Sequence, residues 1–285
     1  MEKHWESELD HSSYQASSLA SALAMVLIVL FWLLLGPTFA TWVKPLNSGY
    51  LTANAPFLVM AIGIAVATKL LLNCSFTALV TDSPSFRFSL FFKSFCIYVA
   101  SFVCFLLIDL LLHPGYYAWG PGSGKEKLAM LVPTLLITPI QTSSEEVLFR
   151  ILPVRVLFKG HLAKKTKKVL GASLLTMVLF TSVHLANQEI VQADQSLYVL
   201  FFYGIFGLVV TFVSLKTGGF EFALAVHAAN NLFIALICNY ETSSLPSHSL
   251  LVTNRPVGTV MDVVQLLVSL LLAALLVRPF SEKMR

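Results

Sequence analysis

The chain has 285 residues, of which 56% are hydrophobic and 12% charged, with a net charge of +4 and a mean hydropathy of +0.78. A soluble domain has about 45–50% apolar and about 25% charged residues, so this composition excludes an ordinary soluble protein. The alternation of polar and apolar residues that is typical of an outer-membrane barrel is absent from the sequence. The composition therefore predicts an all-α, polytopic transmembrane helical bundle.

Eight apolar runs follow one another along the chain, and each is long enough to cross a bilayer as a helix. The links between them are short and rich in turn residues, as in PGSG and TGG. Neither an internal repeat nor a long linker divides the chain. The sequence therefore predicts a polar cytoplasmic N-terminal tail at 1–18 and one membrane domain at 19–285, with spans at 19–43, 55–80, 88–113, 128–157, 168–187, 195–217, 219–239 and 259–279.

The positions of Lys and Arg predict the orientation in the membrane. The link between the fourth and fifth spans contains five lysines, and the link between the fifth and sixth contains no basic residue. Because cytoplasmic loops carry the excess of Lys and Arg, both termini are expected in the cytoplasm, at the plasma (inner) membrane of a bacterium. The lysines are read as this topology signal, and no nucleic-acid partner is expected; they are Lys159, Lys164, Lys165, Lys167 and Lys168.

Two adjacent glutamates, Glu145 and Glu146, interrupt the fourth apolar run. A carboxylate at membrane depth is costly unless a partner compensates its charge. Arg150 follows Glu146 by four residues, so the two share a helix face and can pair. Glu145 then lies about 100° further round the helix, available as an acid or base. The alternative reading is a polar clasp between helices, which needs only one glutamate.

Two further polar clusters lie in later spans. His184 ends the run FTSVH, and alone it is more often a packed residue than a functional one. His227 and Asn231 are four residues apart and share a helix face, where both can donate to one oxygen. Their alternative reading is an interhelical hydrogen bond. Counting residues along the spans places His184 toward the outer end of its span and Glu145 nearer the middle or inner half of its own, an offset of about 10 Å.

The three clusters resemble the ordered motifs of the CPBP family of intramembrane endopeptidases. That family includes the type II CaaX prenyl proteases and bacterial proteins linked to bacteriocin immunity and abortive infection. Its motifs EExxxR, FxxxH and HxxxN are matched, over about residues 125–240, by Glu145-Glu146…Arg150, Phe180…His184 and His227…Asn231.

The resemblance implies a role for each motif residue. Glu145 and His184 would activate the attacking water. His227 and Asn231 would form the oxyanion hole. The supporting residues would be Phe180, Glu146 and Arg150, the last two shaping and charge-balancing the site. The substrate would be a peptide or membrane protein, with CaaX-type processing as one form of the reaction.

Three alternatives stay open at the level of the sequence. Glu145, His184 and His227 are a possible His₂Glu ligand set for catalytic zinc, although metal-free glutamate chemistry is the preferred reading and no cofactor is expected. A non-catalytic membrane regulator or immunity protein could keep the motif residues for folding. A proton-coupled transporter also uses intramembrane Glu and His, but it predicts an inverted repeat that the sequence lacks.

Overall fold

A computed structural model describes residues 14–46, 48–158, 162, 166–192 and 196–282. It is an all-α bundle with one small sheet, so the predicted fold class is confirmed at that level. The chain is an integral membrane protein, because several of its helices are long and apolar enough to cross a membrane. Within the described residues five helices meet that description: Ser18–Leu46, Gly49–Leu72, Phe88–Leu112, Ser196–Thr217 and Val260–Val277.

The other three predicted spans also fold as helices, but they are shorter or more polar, so the count of eight spans stays a prediction. Most of the predicted 1–18 tail and three of the five clustered lysines (Lys159, Lys164 and Lys165) lie outside the described residues. In chain order the helices are α1 (Ser18–Leu30), α2 (Gly36–Val43), α3 (Gly49–Ala67), α4 (Phe76–Val80), α5 (Phe88–Leu112), α6 (Gly124–Glu146), α7 (Leu152–Leu157), α8 (Thr166–Val183), α9 (Gln188–Val191), α10 (Ser196–Thr217), α11 (Glu221–Leu232) and α12 (Val260–Glu282).

The bounds predicted for the second span were wrong at both ends. The helix begins at Gly49 and continues through a π-helical segment to Leu72, instead of covering 55–80. It ends there because Asn73 adopts a left-handed conformation, with φ +47°, which stops a helix. Ser75 then caps the separate short helix α4 by accepting a hydrogen bond from the amide of Ala78.

The fourth predicted span is a composite helix that carries the two glutamates. Ser123 and Glu126 form a reciprocal capping box at its start. Directly after Glu146 the chain changes to a π-helical segment, Val147–Ile151, and then continues as α7. Another π-helical segment, Phe233–Ile237, follows α11 in the same way. Single π turns inside α-helices are frequent at functional sites. Two of the four in the described residues follow site-bearing helices, and the other two, Phe31–Leu35 and Thr68–Leu72, do not.

Three short strands form a sheet at one end of the bundle: β1 (Tyr117–Trp119), β2 (Cys238–Tyr240) and β3 (Leu251–Thr253). The central strand β3 pairs antiparallel with β1 and parallel with β2. We call this the sheet end of the bundle. Because the helices alternate in direction, the links 113–123, 184–195 and 238–259 all lie at the sheet end, and the links 73–87, 158–165 and 218–220 lie at the opposite end.

Helices α8 and α10 pack closely at Gly207. A Cβ atom at this position would lie 2.9 Å from the Cα of Met177 and 3.0 Å from the carbonyl oxygen of Thr176. Both are backbone atoms, so the two helices would have to separate. We expect Gly207→Ala to lower the free energy of unfolding by about 1–3 kcal/mol, measured by thermal unfolding in detergent.

A matched control is Gly171→Ala in α8, where an added Cβ meets nothing within 4 Å. That change should leave stability unchanged or raise it slightly, because Ala has the higher helix propensity. Equal melting temperatures for the two variants would contradict the close packing at Gly207.

Candidate active site

A cavity of about 510 Å³ opens among α3, α5, α6, α8, α10 and α11. Its size is typical of small-ligand and peptide pockets, which span roughly 300–1,000 Å³. All four predicted catalytic residues lie on its wall, Glu145, His184, His227 and Asn231, and so does the supporting residue Phe180. The three motifs, separated by up to 86 positions in the chain between Glu145 and Asn231, are therefore brought to one place.

Glu146 and Arg150 form an ion pair that is completely buried. The guanidinium donates through Nε to Glu146 Oε2, and through its second nitrogen to Oε1 at 3.2 Å. Its remaining terminal nitrogen donates to the carbonyl of Gly207 at 2.8 Å and to Thr211 Oγ1 at 2.6 Å. The Arg150 side chain therefore connects α6 to α10 while it compensates the buried carboxylate. This is the pairing that the i, i+4 spacing predicted.

His227 lies between the two glutamates. Its Nδ1 is 2.8 Å from Glu146 Oε1, and its Nε2 is 3.5 Å from Glu145 Oε2. The sequence placed Glu145 on a different face from Glu146, but the histidine ring bridges both faces because its nitrogens point in different directions. Since a carboxylate only accepts, Nδ1 carries the hydrogen toward Glu146. Nε2 also carries a hydrogen only in the doubly protonated ring, and it can then donate to Glu145 or to a substrate oxygen.

Asn231 belongs to a chain of amide hydrogen bonds. Its Nδ2 donates to Gln141 Oε1 at 3.1 Å, and its Oδ1 accepts from Asn230 at 3.1 Å. Asn230 in turn accepts from the hydroxyl of the buried Tyr98 at 3.2 Å. Gln141 was missed by sequence reasoning. The signal was present, because Gln141 precedes Glu145 by four residues and so shares its helix face.

His184 lies just beyond the end of α8, among aromatic rings. Its Nδ1 is 2.6 Å from the carbonyl oxygen of Phe180. Because a carbonyl only accepts, that nitrogen carries the hydrogen, and Nε2 is the acceptor of the neutral ring. Tyr203 stacks on the imidazole with ring centroids 4.3 Å apart. The centroid of the Phe180 ring lies 4.6 Å from that of the imidazole.

The offset of about 10 Å between Glu145 and His184 does not separate them in the structure. Both line the same cavity. The simple count assumed straight, parallel helices, whereas the helix carrying Glu145 contains Pro133 and Pro139 and changes to a π-helical segment at Val147.

Glu189 connects the segment after His184 to the loop between β2 and β3 through hydrogen bonds. This residue is buried and accepts at Oε1 from Asn187 at 3.0 Å and from Tyr203 at 2.5 Å. At Oε2 it accepts from the backbone and hydroxyl of Ser244, at 3.1 and 2.6 Å. Since Tyr203 also stacks on His184, this network orients the imidazole. No sequence motif indicated it.

We expect Tyr203→Phe to lower the rate of substrate turnover by up to about tenfold, equivalent to about 1.4 kcal/mol. The change keeps the ring stacked on His184 but removes its bond to Glu189. Tyr203→Leu should cost more, because it removes the stacking as well. Tyr198→Phe is the control, since Tyr198 also lies in α10 and lines the cavity. Equal rates for Tyr203→Phe and Tyr203→Leu would argue against a role for the stacked ring.

A second polar cluster lies on the cavity wall nearer the sheet. Asp109 accepts from Arg255 at 2.6 Å and from the hydroxyl of Tyr117 at 2.5 Å. Burial, and then the bond to Asp109, raise the pKa of the Tyr117 hydroxyl. Tyr117 therefore stays a neutral hydrogen-bond donor at physiological pH. These residues give the cavity a polar end that is distinct from the glutamates.

The zinc alternative requires Glu145, His184 and His227 to converge on one ion. Among the described residues, no group of three His, Cys, Asp or Glu side chains is placed to hold a metal ion. His227 instead directs both ring nitrogens at carboxylates. The arrangement of these donors does not fit a zinc site.

Comparison with known proteins agrees with the motifs. Residues 124–233 match the family model described as type II CAAX prenyl endopeptidase Rce1-like. The chain is also similar to the uncharacterized protein YyaK of Bacillus subtilis (strain 168), with 29% identity over 227 residues that cover 78% of this chain and 73% of the relative. No solved structure gives a significant match. The segment that carries the glutamates, both histidines and the asparagine, residues 124–233, is thus similar to the type II CAAX prenyl endopeptidases, a family of peptidases.

Proposed function

We propose that this protein is an intramembrane endopeptidase that hydrolyses a peptide bond with water activated by Glu145. The observation that carries the proposal is the shared cavity, in which Glu145, His184 and His227 meet beside Asn231. The family match supports a peptidase, and the geometry supports the residue roles given below.

Glu145 is the general base of the proposed reaction. It is the one of the two glutamates that lines the cavity and is not held by arginine. It takes a proton from water as the water oxygen attacks the carbonyl carbon of the scissile peptide. His184 accepts a hydrogen bond from the same water through Nε2, which is the acceptor nitrogen of the ring.

The developing oxyanion receives hydrogen bonds from the Asn231 amide and from Nε2–H of His227, whose ring is doubly protonated in this step because its Nδ1–H is donated to Glu146. The Asn231 amide must exchange its bond to Gln141 for one to the substrate. Collapse of the tetrahedral intermediate then breaks the C–N bond, and the proton held by Glu145 passes to the leaving amine. The products are a new carboxylate and a free amine, and Glu145 is regenerated.

Glu146 and Arg150 are supporting residues in this proposal. The buried pair fixes His227 from the Nδ1 side, so that Nε2 is directed toward Glu145. Phe180 packs its ring beside His227, with centroids 5.5 Å apart, and accepts the Arg150 guanidinium over its face at 5.2 Å. Each of these contacts holds a group that acts on the substrate.

The test is cleavage of a reporter panel by the purified protein in liposomes. The panel contains a farnesylated peptide ending in CaaX, the same peptide without the lipid, and single-span membrane peptides. We expect one reporter class to be cleaved by wild type and spared by His227→Ala, with or without a zinc chelator. Cleavage that the chelator abolishes would overturn the metal-free mechanism. Equal cleavage by His227→Ala would overturn the assignment of the oxyanion hole.

A further inference from the structure

The active-site cavity is continuous with one end of the bundle. Besides the catalytic residues, its wall includes residues from each of the links at the sheet end, among them Tyr117, Asn187, Ser244 and Arg255. Among the described residues, no lining residue belongs to the links at the opposite end, 73–87, 158–165 and 218–220. A substrate segment that approaches from water therefore enters between the sheet-end links.

The two ends differ strongly in basic residues. The three sheet-end links that line the cavity, 113–123, 184–195 and 238–259, together contain a single Lys or Arg, which is Arg255. The sheet end also carries Lys44, shortly before α3, and Lys125 and Lys127 in the first turn of α6. The link 158–165 at the opposite end alone contains three lysines, and the first turn of α8 adds Lys167 and Lys168. This is the asymmetry that orients polytopic proteins in membranes.

The single arginine of the three links that line the cavity is also neutralised. Arg255 is paired with Asp109 at 2.6 Å. Glu189 and Asp262 are further carboxylates on the same part of the cavity wall. The surroundings of the cavity opening are thus neutral to acidic, as expected for links on the non-cytoplasmic side.

We propose that the active site opens to the extracytoplasmic side of the membrane, and that its substrate is a membrane-anchored polypeptide whose scissile bond lies on that side. The inference about the substrate rests on the proposed endopeptidase function. The inference about the opening rests only on the position of the cavity and on the charge asymmetry.

The cavity wall suits such a substrate in two ways. Its bundle side is lined by aromatic rings, including Trp32, Phe57 and Phe149, which accommodate apolar side chains near the membrane. Its sheet side carries polar groups such as Asn187, Ser243 and Ser244, which can bind the backbone of a peptide leaving the membrane. A soluble cytosolic protein would meet the lysine-rich end and not the cavity.

The orientation is tested without any cleavage assay. Two cysteine variants are expressed separately in bacterial spheroplasts: Asn254→Cys in the exposed link after β3 and Lys167→Cys at the exposed start of α8. A membrane-impermeant maleimide is added before or after permeabilisation, and the modified peptide is identified by mass spectrometry, so that the native cysteines can stay in place. We expect labelling of Asn254→Cys in intact spheroplasts and of Lys167→Cys only after permeabilisation. The reverse pattern would overturn the proposal.

The substrate side is tested with two single-span reporters that carry one cleavable segment on opposite sides of an identical span. Each is coexpressed with wild type or with Glu145→Gln. We expect wild type to cleave the extracytoplasmic segment alone. Cleavage of the cytoplasmic segment alone would overturn the proposed substrate side. Cleavage of neither, beside the expected labelling pattern, would leave the orientation established and count against the endopeptidase function.

Discussion

Glu145→Gln is expected to reduce peptide-bond hydrolysis by about 10²–10⁴-fold, the usual contribution of a general base. The substitution keeps the shape of the side chain and its place on the cavity wall, but an amide cannot take the proton from water. Glu145 is at the cavity surface and its carboxylate lies 3.5 Å from His227, so a neutral amide can replace it without leaving a buried charge unpaired. The measurement is the initial rate on the cleaved reporter, at equal amounts of folded protein.

The melting temperature of Glu145→Gln, compared with its cleavage rate, distinguishes an enzyme from a non-catalytic regulator. A non-catalytic regulator that kept the motif for stability would lose its fold together with its function. We expect the melting temperature of Glu145→Gln in detergent to stay within a few degrees of wild type. Loss of the fold in parallel with loss of cleavage would favour the regulator reading.

Arg150→Met is expected to be the most destabilising single change in the site. It leaves Glu146 fully buried with only the His227 bond and removes the donors to Gly207 and Thr211. Breaking a buried ion pair by removing one partner costs about 3–5 kcal/mol, which corresponds to roughly 10 °C in melting temperature for a protein of this size. The measurement is thermal unfolding in detergent.

The double variant Glu146→Gln/Arg150→Met should recover part of that stability, because it no longer contains an uncompensated carboxylate. Lys44→Met, at an exposed lysine, is the control and should change the melting temperature little. A double variant less stable than Arg150→Met alone would show that the pair is not what holds Glu146 in place.

Contacts between side chains of the same helix were predictable from the sequence. Glu146 and Arg150 pair because residues four apart share a helix face, and the same rule places Gln141 beside Glu145. The ordered motifs also indicated side chains that the structure brings to one cavity, namely Glu145, His184, His227 and Asn231.

Contacts between segments that are far apart in the chain were not predictable from the sequence. Glu145 and Glu146 both reach His227 because α6 and α11 pack at one particular rotation, which no local pattern specifies. The bonds from Ser244 to Glu189 join a loop to the one-turn helix α9, 55 residues earlier in the chain, and loop conformation leaves no periodic signal. The early end of the second span depends on one left-handed residue, Asn73, inside an otherwise apolar stretch.

Hydrolysis by water that Glu145 activates is tested by product analysis after cleavage in water enriched in ¹⁸O. Wild-type protein in liposomes is given the cleaved reporter, and the fragments are identified by mass spectrometry. We expect a new carboxylate that contains ¹⁸O and a fragment with a free amine, both absent with Glu145→Gln. Formation of the same fragments by Glu145→Gln at the wild-type rate would contradict the role of Glu145 as general base.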